Sequence, residues 1–471
     1  MATDTATLAA RLDRLPVGRF HRQVLLALAV VFFFELADLN TFSYVGATLE
    51  KNTGMSTGTF ALITSASFAG MFIGAVFGGR FADALGRQRA LVISVVAFSV
   101  FSLANAGAWD NISIGVARFL TGVGLSSMTV AATTYISEVM PSARRGRMQA
   151  GVIAIGLVGI PAMTFFSRAV APLSPNSWRW VFVFGAVGLI VLPLIMRLPE
   201  SPRWLAGNGR AEEAGAVVDR IEGQVAAQVG SLPEAVPVVE AAPRKVRYRE
   251  LFAGRLGKRT LMLIVVWVFQ TLGFYGFSTW VPSLLVQHGF SLTKSLSFIA
   301  LTTLGAVPGA LLAWPISDRF GRKIPIVCVA VGIAVCGLAY GLTFNSVAIV
   351  VFGFCVNALL QTFAALLYAY TPELFPTAQR NSGNGLAYGS GRLANIVGSL
   401  IVASIFGSFG YQPVFVYIAA CWVVVAITVA VFGPSTGMRH LETLNDVPVS
   451  SVDPDAGRGA GRSAVAPESS G

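Results

Sequence analysis

Glu35 and Asp38 stand three residues apart inside an apolar run, Phe32-Phe33-Phe34-Glu35-Leu36-Ala37-Asp38, and Arg118 and Arg392 interrupt two further apolar runs. An ionised side chain at the centre of a bilayer costs roughly 2.5–3.5 kcal/mol on insertion scales, so such residues usually face a cavity and have a partner. The three-residue spacing puts both carboxyls on one helix face. Two carboxylates that close cannot both ionise cheaply, so the pair is expected to hold a proton, which is the chemistry of a proton-coupling device. Counted at the helical rise, Arg118 lies at the depth of Asp38 more than of Glu35. Asp38 with Arg118 is therefore the expected ion pair, and Glu35 the less constrained acid. A static pair that only fixes helix contacts is the competing reading. Arg392 falls near mid-span, where a guanidinium could take a carboxylate ligand in a bidentate way or simply balance the charge of Glu35. Gln270, Asn357, Gln361, Tyr368 and Tyr388 could supply directional hydrogen bonds, with Phe274, Tyr275 and Trp280 as an aromatic wall. Each of these alone could equally be glue between helices.

The elements that must position these residues are long apolar helices. With 54% hydrophobic and 12% charged residues and a mean hydropathy of +0.68, the chain cannot stay in water unless most of its apolar surface meets lipid. Twelve apolar segments of roughly twenty residues are expected near 23–48, 59–82, 88–109, 112–138, 147–172, 178–198, 260–286, 294–317, 324–344, 346–371, 381–407 and 411–433, each long enough to span as a helix. A closed β-barrel would instead show short alternating strands. The fold class is thus all-α integral membrane. Two polar motifs between these runs also repeat. Asp83-Ala84-Leu85-Gly86-Arg87 returns as Asp318-Arg319-Phe320-Gly321-Arg322, and Tyr135 to Pro141, carrying Glu138, returns as Tyr370 to Pro376, carrying Glu373. Both offsets are 235 residues, and Arg145 and Arg380 keep it. One duplication explains all of it, giving two pseudo-symmetric six-helix bundles at 23–198 and 260–434 with a site expected between them.

The net charge of +11 would suggest nucleic acid in a soluble chain, but its placement argues for lipid. Arg11, Arg14, Arg19 and Arg22 precede the first run, Arg87 and Arg89 follow the second, Arg144, Arg145 and Arg147 follow the fourth, and the 199–259 loop is basic. The opposite loops carry little beyond Lys51, Arg179 and Lys294. The positive-inside rule then puts the 1–22 segment, the 199–259 loop and the 435–471 tail in the cytoplasm; no aromatic-basic module for nucleic acid accompanies the charge. Cys328, Cys336, Cys355 and Cys421 fall inside apolar runs without metal spacing and read as core residues. The basic start from Thr7 to Arg22 leads straight into a full span, so no cleavable leader is expected. In the 199–259 loop, Arg210 to Val218 has an amphipathic pattern suited to a helix lying on the membrane surface, and the Gly/Ser/Pro/Ala-rich tail is expected to be disordered.

The motif Gly78-Gly79-Arg80-Phe81-Ala82-Asp83-Ala84-Leu85-Gly86-Arg87-Gln88-Arg89 resembles the signature of the major facilitator superfamily between spans two and three, and its second copy departs upstream at Trp314-Pro315. Arg118-Phe119-Leu120-Thr121-Gly122-Val123-Gly124 resembles that family's fourth-span motif, and Pro199-Glu200-Ser201-Pro202-Arg203-Trp204-Leu205 the segment after span six in its sugar, organic-ion and metabolite branches. Phe34 to Asp38, Phe274 to Pro282 and Gly389-Ser390-Gly391-Arg392 resemble spans one, seven and eleven of aromatic-acid and niacin-type proton symporters. The resemblance implies the major facilitator fold and alternating access, with Asp83, Arg87, Glu138 and Arg145 and their copies Asp318, Arg322, Glu373 and Arg380 clamping the halves on the cytoplasmic side. The expected function is secondary active symport of a small organic metabolite, an aromatic or other carboxylate, with protons. A sugar or polyol carrier, proton-driven efflux and a transporter-like sensor stand as alternatives. No enzyme constellation and no metal or other cofactor is expected, since only His21, His288 and His440 occur. The expected partners are substrate, protons and a bacterial inner membrane, around a monomer.

Overall fold

Helix starts in this chain are set by local chemistry. Ser56 Oγ accepts from Thr59 N–H, Asp110 Oδ1 from Ser113 N–H, Ser291 Oγ from Lys294 N–H and Asn345 Oδ1 from Val347 N–H. Each cap satisfies a backbone donor that the first turn leaves without a partner. The structure is a computed structural model and describes residues 2–235, 248–376 and 379–434, with the side chains of 2–7, 51, 317, 318 and 381 outside the described residues. The tail at 435–471 also lies outside them.

Twelve helices among the described residues are long and apolar enough to cross a membrane. Spans 1 to 6 are Arg19–Glu50, Thr57–Leu85, Arg87–Ala106, Asn111–Val139, Ser142–Val170 and Trp178–Met196; spans 7 to 12 are Gly254–Gln287, Leu292–Ile316, Lys323–Leu342, Ser346–Glu373, Ser382–Phe409 and Tyr411–Phe432. Several are not straight rods. Span 1 consists of Arg19–Leu39 and Thr41–Thr53 joined at Asn40, two residues beyond Asp38. Span 5 breaks between Gly156 and Gly159, span 8 between Thr303 and Ala306, and span 6 narrows to a 3-10 turn at Val187–Val191.

The duplication is visible as geometry. Tyr135 donates to the carbonyl of Pro199 and Tyr370, 235 residues on, donates to that of Pro434, both at 2.8 Å. Ser127 donates to Gly74 O in one half, and Thr362 to Gly309 O in the other. At Gly74 and Gly309 a Cβ would lie 2.4 and 2.1 Å from the carbonyl oxygens of Val123 and Ala358, so both helix crossings require glycine.

The two halves meet closely on the face away from the termini. Phe42 stacks on Phe60, and Phe60 meets Trp280 of the other half edge-on at 5.2 Å. Gln287 Nε2 donates to Glu50 Oε2 at 2.8 Å, and Arg168 Nε to Ser297 Oγ at 2.7 Å. One apolar core therefore runs across both halves there, while a second core nearer the termini is built from the first half and the surface helices. Trp280 is wholly buried in this seal.

The loop after span 6 forms helices Pro202–Gly207 and Ala211–Val229. Ala214, Val218, Ile221 and Val225 of the longer one are buried, in one core with Leu8 and Leu12 of the N-terminal helix Ala2–Asp13 and Leu15 just after it. The apolar stripe expected to rest on lipid is thus covered by protein. Arg11 bonds Asp219 and Glu222, both at 2.5 Å, and Arg14 bonds Glu222 at 2.7 Å.

Candidate functional site: a buried ion pair beside an aromatic arginine cluster

Asp38 leaves the helical part of span 1 just before the Asn40 break and is fully buried. Its Oδ2 lies 3.0 Å from Arg118 Nη1 of span 4, itself 3% exposed. Arg118 Nε reaches Ser67 Oγ at 3.4 Å, and its guanidinium lies over the Phe182 ring, 5.9 Å from the centroid. Ser102 Oγ donates to Phe182 O at 2.9 Å and stands 3.4 Å from Asp38 Oδ1. Gly185 makes room for the acid, since a Cβ there would lie 2.8 Å from Asp38 Oδ1. A buried pair of this kind gains little net stability against its desolvation, yet removing one partner costs about 3–5 kcal/mol. Its geometry therefore ties the spans of the first half to the charge state of Asp38.

Glu35, one turn earlier and also buried, does not share those partners. Its Oε1 accepts from Thr129 Oγ1 of span 4, and it interacts electrostatically with Arg392 of span 11 and Tyr275 of span 7. Asp38 is ion-paired, and Glu35 is held by a hydroxyl. Asp38 is tied inside the first half, whereas Glu35 looks across the seam.

Arg392 is half-buried and held by Tyr388, one turn before it on span 11, whose hydroxyl accepts from both Nε and Nη2. Its third nitrogen, Nη1, reaches Met71 Sδ of span 2 at 3.8 Å. The Tyr388 ring lies 5.2 Å from Trp267 and 5.9 Å from Tyr368, and Tyr275 meets Phe68 edge-on at 4.9 Å. Tyr368 is 54% exposed, so this aromatic cluster has an open edge. Asn357 and Gln361 line a separate cavity at the seam with Asn40, Tyr44, Phe274 and Ser278. A second cavity presents Arg118, Ser67 and Thr64 beside Thr279 of the other half. Gln270 is buried and donates to its neighbour Thr271 at 2.6 Å. Thr129, Met71, Trp267 and Asn40 were not singled out from the sequence; hydroxyl, thioether and indole groups inside apolar helices carry no pattern that separates a site from a core.

At the face bearing the termini, Arg87 pairs with Asp83 at 2.8 Å and Glu138 at 2.9 Å, and Arg322 pairs with Glu373 at 3.2 Å. These pairs stay within their own halves. Arg145 lies near the start of span 5, and Arg380 opens the helix of span 11; the side chain of Asp318 lies outside the described residues. Glu200, in the motif after span 6, accepts from the backbone N–H groups of Arg87, Gln88 and Ser201 at 2.7, 3.0 and 2.8 Å. A carboxylate at a helix start suits the positive end of the helix dipole. Gly86, at a φ of +100°, could not carry a side chain there without meeting Glu200.

The family model described as sugar (and other) transporter matches residues 26–447. The chain belongs to that family. A putative metabolite transport protein, YyaJ, of Bacillus subtilis (strain 168) is 46% identical over 92% of this chain and 96% of its own length. The niacin transporter NiaP of Acinetobacter baylyi is 30% identical over 93% of this chain and 99% of its own. A solved structure of the xylose transporter XylE from E. coli, in a partially occluded inward open conformation, superposes with a TM-score of 0.72 at 18% identity, covering 88% of this chain and 98% of that one. The fold is that of the major facilitator superfamily, and this member of the transporter family is a multi-pass membrane transporter, not an enzyme.

Proposed function

We propose that this transporter carries a small aromatic or heteroaromatic carboxylate together with protons, by alternating access. The observation that carries the reading is the pair of buried acids with separate partners, Asp38 on Arg118 and Glu35 on Thr129, with Arg392 presented from the other half by Tyr388. A substrate carboxylate competes with Glu35 for Arg392. Protonating Glu35 removes that competitor, and protonating Asp38 releases the charge on Arg118 and loosens the tie among the spans of the first half. Loaded and empty carriers can then rock, while a half-loaded one leaves an unpaired buried charge, which is expensive in low dielectric. Trp267, Tyr368, Tyr388 and Tyr275 offer ring faces and edges to an aromatic ligand, and Asn357, Gln361 and Gln270 offer polar groups nearby. The niacin transporter among the relatives carries a heteroaromatic acid in its name, which agrees with this chemistry.

In this reading the bundles 23–198 and 260–434 rock about the site. The termini and the 199–259 loop face the cytoplasm of a bacterium, the protein works as a monomer in the inner membrane, and Asp83, Arg87, Glu138, Arg145 and their copies clamp that side when the carrier opens outward. Asp38→Asn is the test. In proteoliposomes it should abolish accumulation driven by an imposed pH gradient while substrate exchange persists; accumulation equal to wild type would refute the coupling role, as would loss of both activities in folded protein.

A further inference from the structure

Thr129 Oγ1 has two acceptors within reach and one proton to give. One is the carbonyl of Leu125, one turn earlier in span 4, at 3.0 Å; the other is Glu35 Oε1 of span 1. A hydroxyl donates one hydrogen bond and accepts up to two. With Glu35 ionised, the Thr129 proton must choose, and the charged acceptor is the stronger. With Glu35 protonated, the acid O–H can itself donate to Oγ1, and the Thr129 proton turns back to Leu125 O, so that every group is satisfied. The other charged or titratable groups facing this carboxyl are Arg392 of span 11 and Tyr275 of span 7.

We infer that Thr129 is a positioning residue for proton coupling, a hydroxyl rotor whose hydrogen bond to Glu35 reverses when the acid gains or loses its proton. The inference rests on the proposed role of Glu35 as a proton carrier. The Glu35 carboxyl gains one proton and later loses it; Thr129 exchanges none and only rotates. The rotor ties Glu35 to span 4, the helix that also carries Arg118, eleven residues or about 16 Å of helical rise before Thr129. Both acids of span 1 are thereby read by one helix.

The test needs no substrate. Infrared difference spectra of the purified protein across a pH titration report the carboxylic C=O band of a buried acid, and Glu35→Gln identifies which band belongs to Glu35. Thr129→Ser keeps the hydroxyl and should leave the band and its titration midpoint in place. Thr129→Val keeps the shape, removes the donor, and should move the midpoint about one pH unit to the alkaline side, the size of one hydrogen bond to a charged acceptor. The pH profile of gradient-driven accumulation should move with it. A Thr129→Val midpoint equal to wild type, in protein with an unchanged thermal melt, overturns the rotor alone; Glu35→Gln spectra that keep every titrating band of the wild type overturn the proton-carrier reading of Glu35 itself.

Discussion

Arg392 shows how much one side chain can decide. Tyr388 occupies its Nε and Nη2, so its orientation is fixed before any ligand arrives, and Nη1 reaches the sulfur of Met71, a weak acceptor. A carboxylate from a substrate is a far better partner for that nitrogen. Arg392→Lys keeps the charge but loses the planar fork, so it should weaken affinity for an aromatic carboxylate by roughly 10- to 100-fold, the equivalent of one charge-assisted hydrogen bond. Equilibrium binding of nicotinate, benzoate and 4-hydroxybenzoate checks this, and affinities unchanged from wild type would remove Arg392 from the site. Depth along the spans was enough to bring Asp38 to Arg118, because helical rise is regular. The same arithmetic could not find Thr129 or assign Glu35 to it, since a threonine in an apolar helix ordinarily bonds the carbonyl four residues back, as Thr121 and Thr164 do here.

Among the elements, the N-terminal helix and Ala211–Val229 depend on each other. They are joined by Leu8, Leu12 and Leu15 against Val218, Ile221 and Val225, and by the bonds from Arg11 and Arg14 to Glu222. Burial works to raise the Glu222 carboxyl, but the bonds from Arg11 and then Arg14 outweigh it and hold the group below the ordinary carboxylate range. A depressed carboxylate contributes stability above its unfolded value, near 4.3, and that contribution is lost as pH falls through the lower folded value. Hydrogen exchange of residues 8–13 should therefore stay slow at neutral pH and accelerate in acid, and Glu222→Gln should show the fast exchange already at pH 7. Slow exchange in the variant at pH 7 would contradict the account. Spans were legible because an apolar run of about twenty residues has few alternatives in lipid. This docked pair was not: Arg11 and Asp219 lie 208 residues apart, and an amphipathic stripe alone does not say whether lipid or protein covers it. The break at Asn40 was equally silent, because no proline marks it, whereas Pro308, four residues after Leu304, marks the one between Thr303 and Ala306.

For the molecule as a whole, the duplicated hydrogen bonds and glycine crossings make two similar bodies, and the seal of Phe42, Phe60 and Trp280 closes the face away from the termini. Opening that face must break the contacts of Glu50 with Gln287 and of Arg168 with Ser297, and closing the other must bring the two charged networks of Arg87 and Arg322 together. In the proposed mechanism the charge state of Asp38 and Glu35 sets which of these exchanges is cheap, so substrate and proton are expected to move together. The most direct measurement is substrate-driven proton movement in proteoliposomes without an imposed gradient. Adding an aromatic carboxylate outside should make the external medium more alkaline in step with its uptake, and Asp38→Asn should abolish that alkalinisation. Uptake of the carboxylate with no accompanying proton, or the same proton signal in Asp38→Asn, would contradict the account.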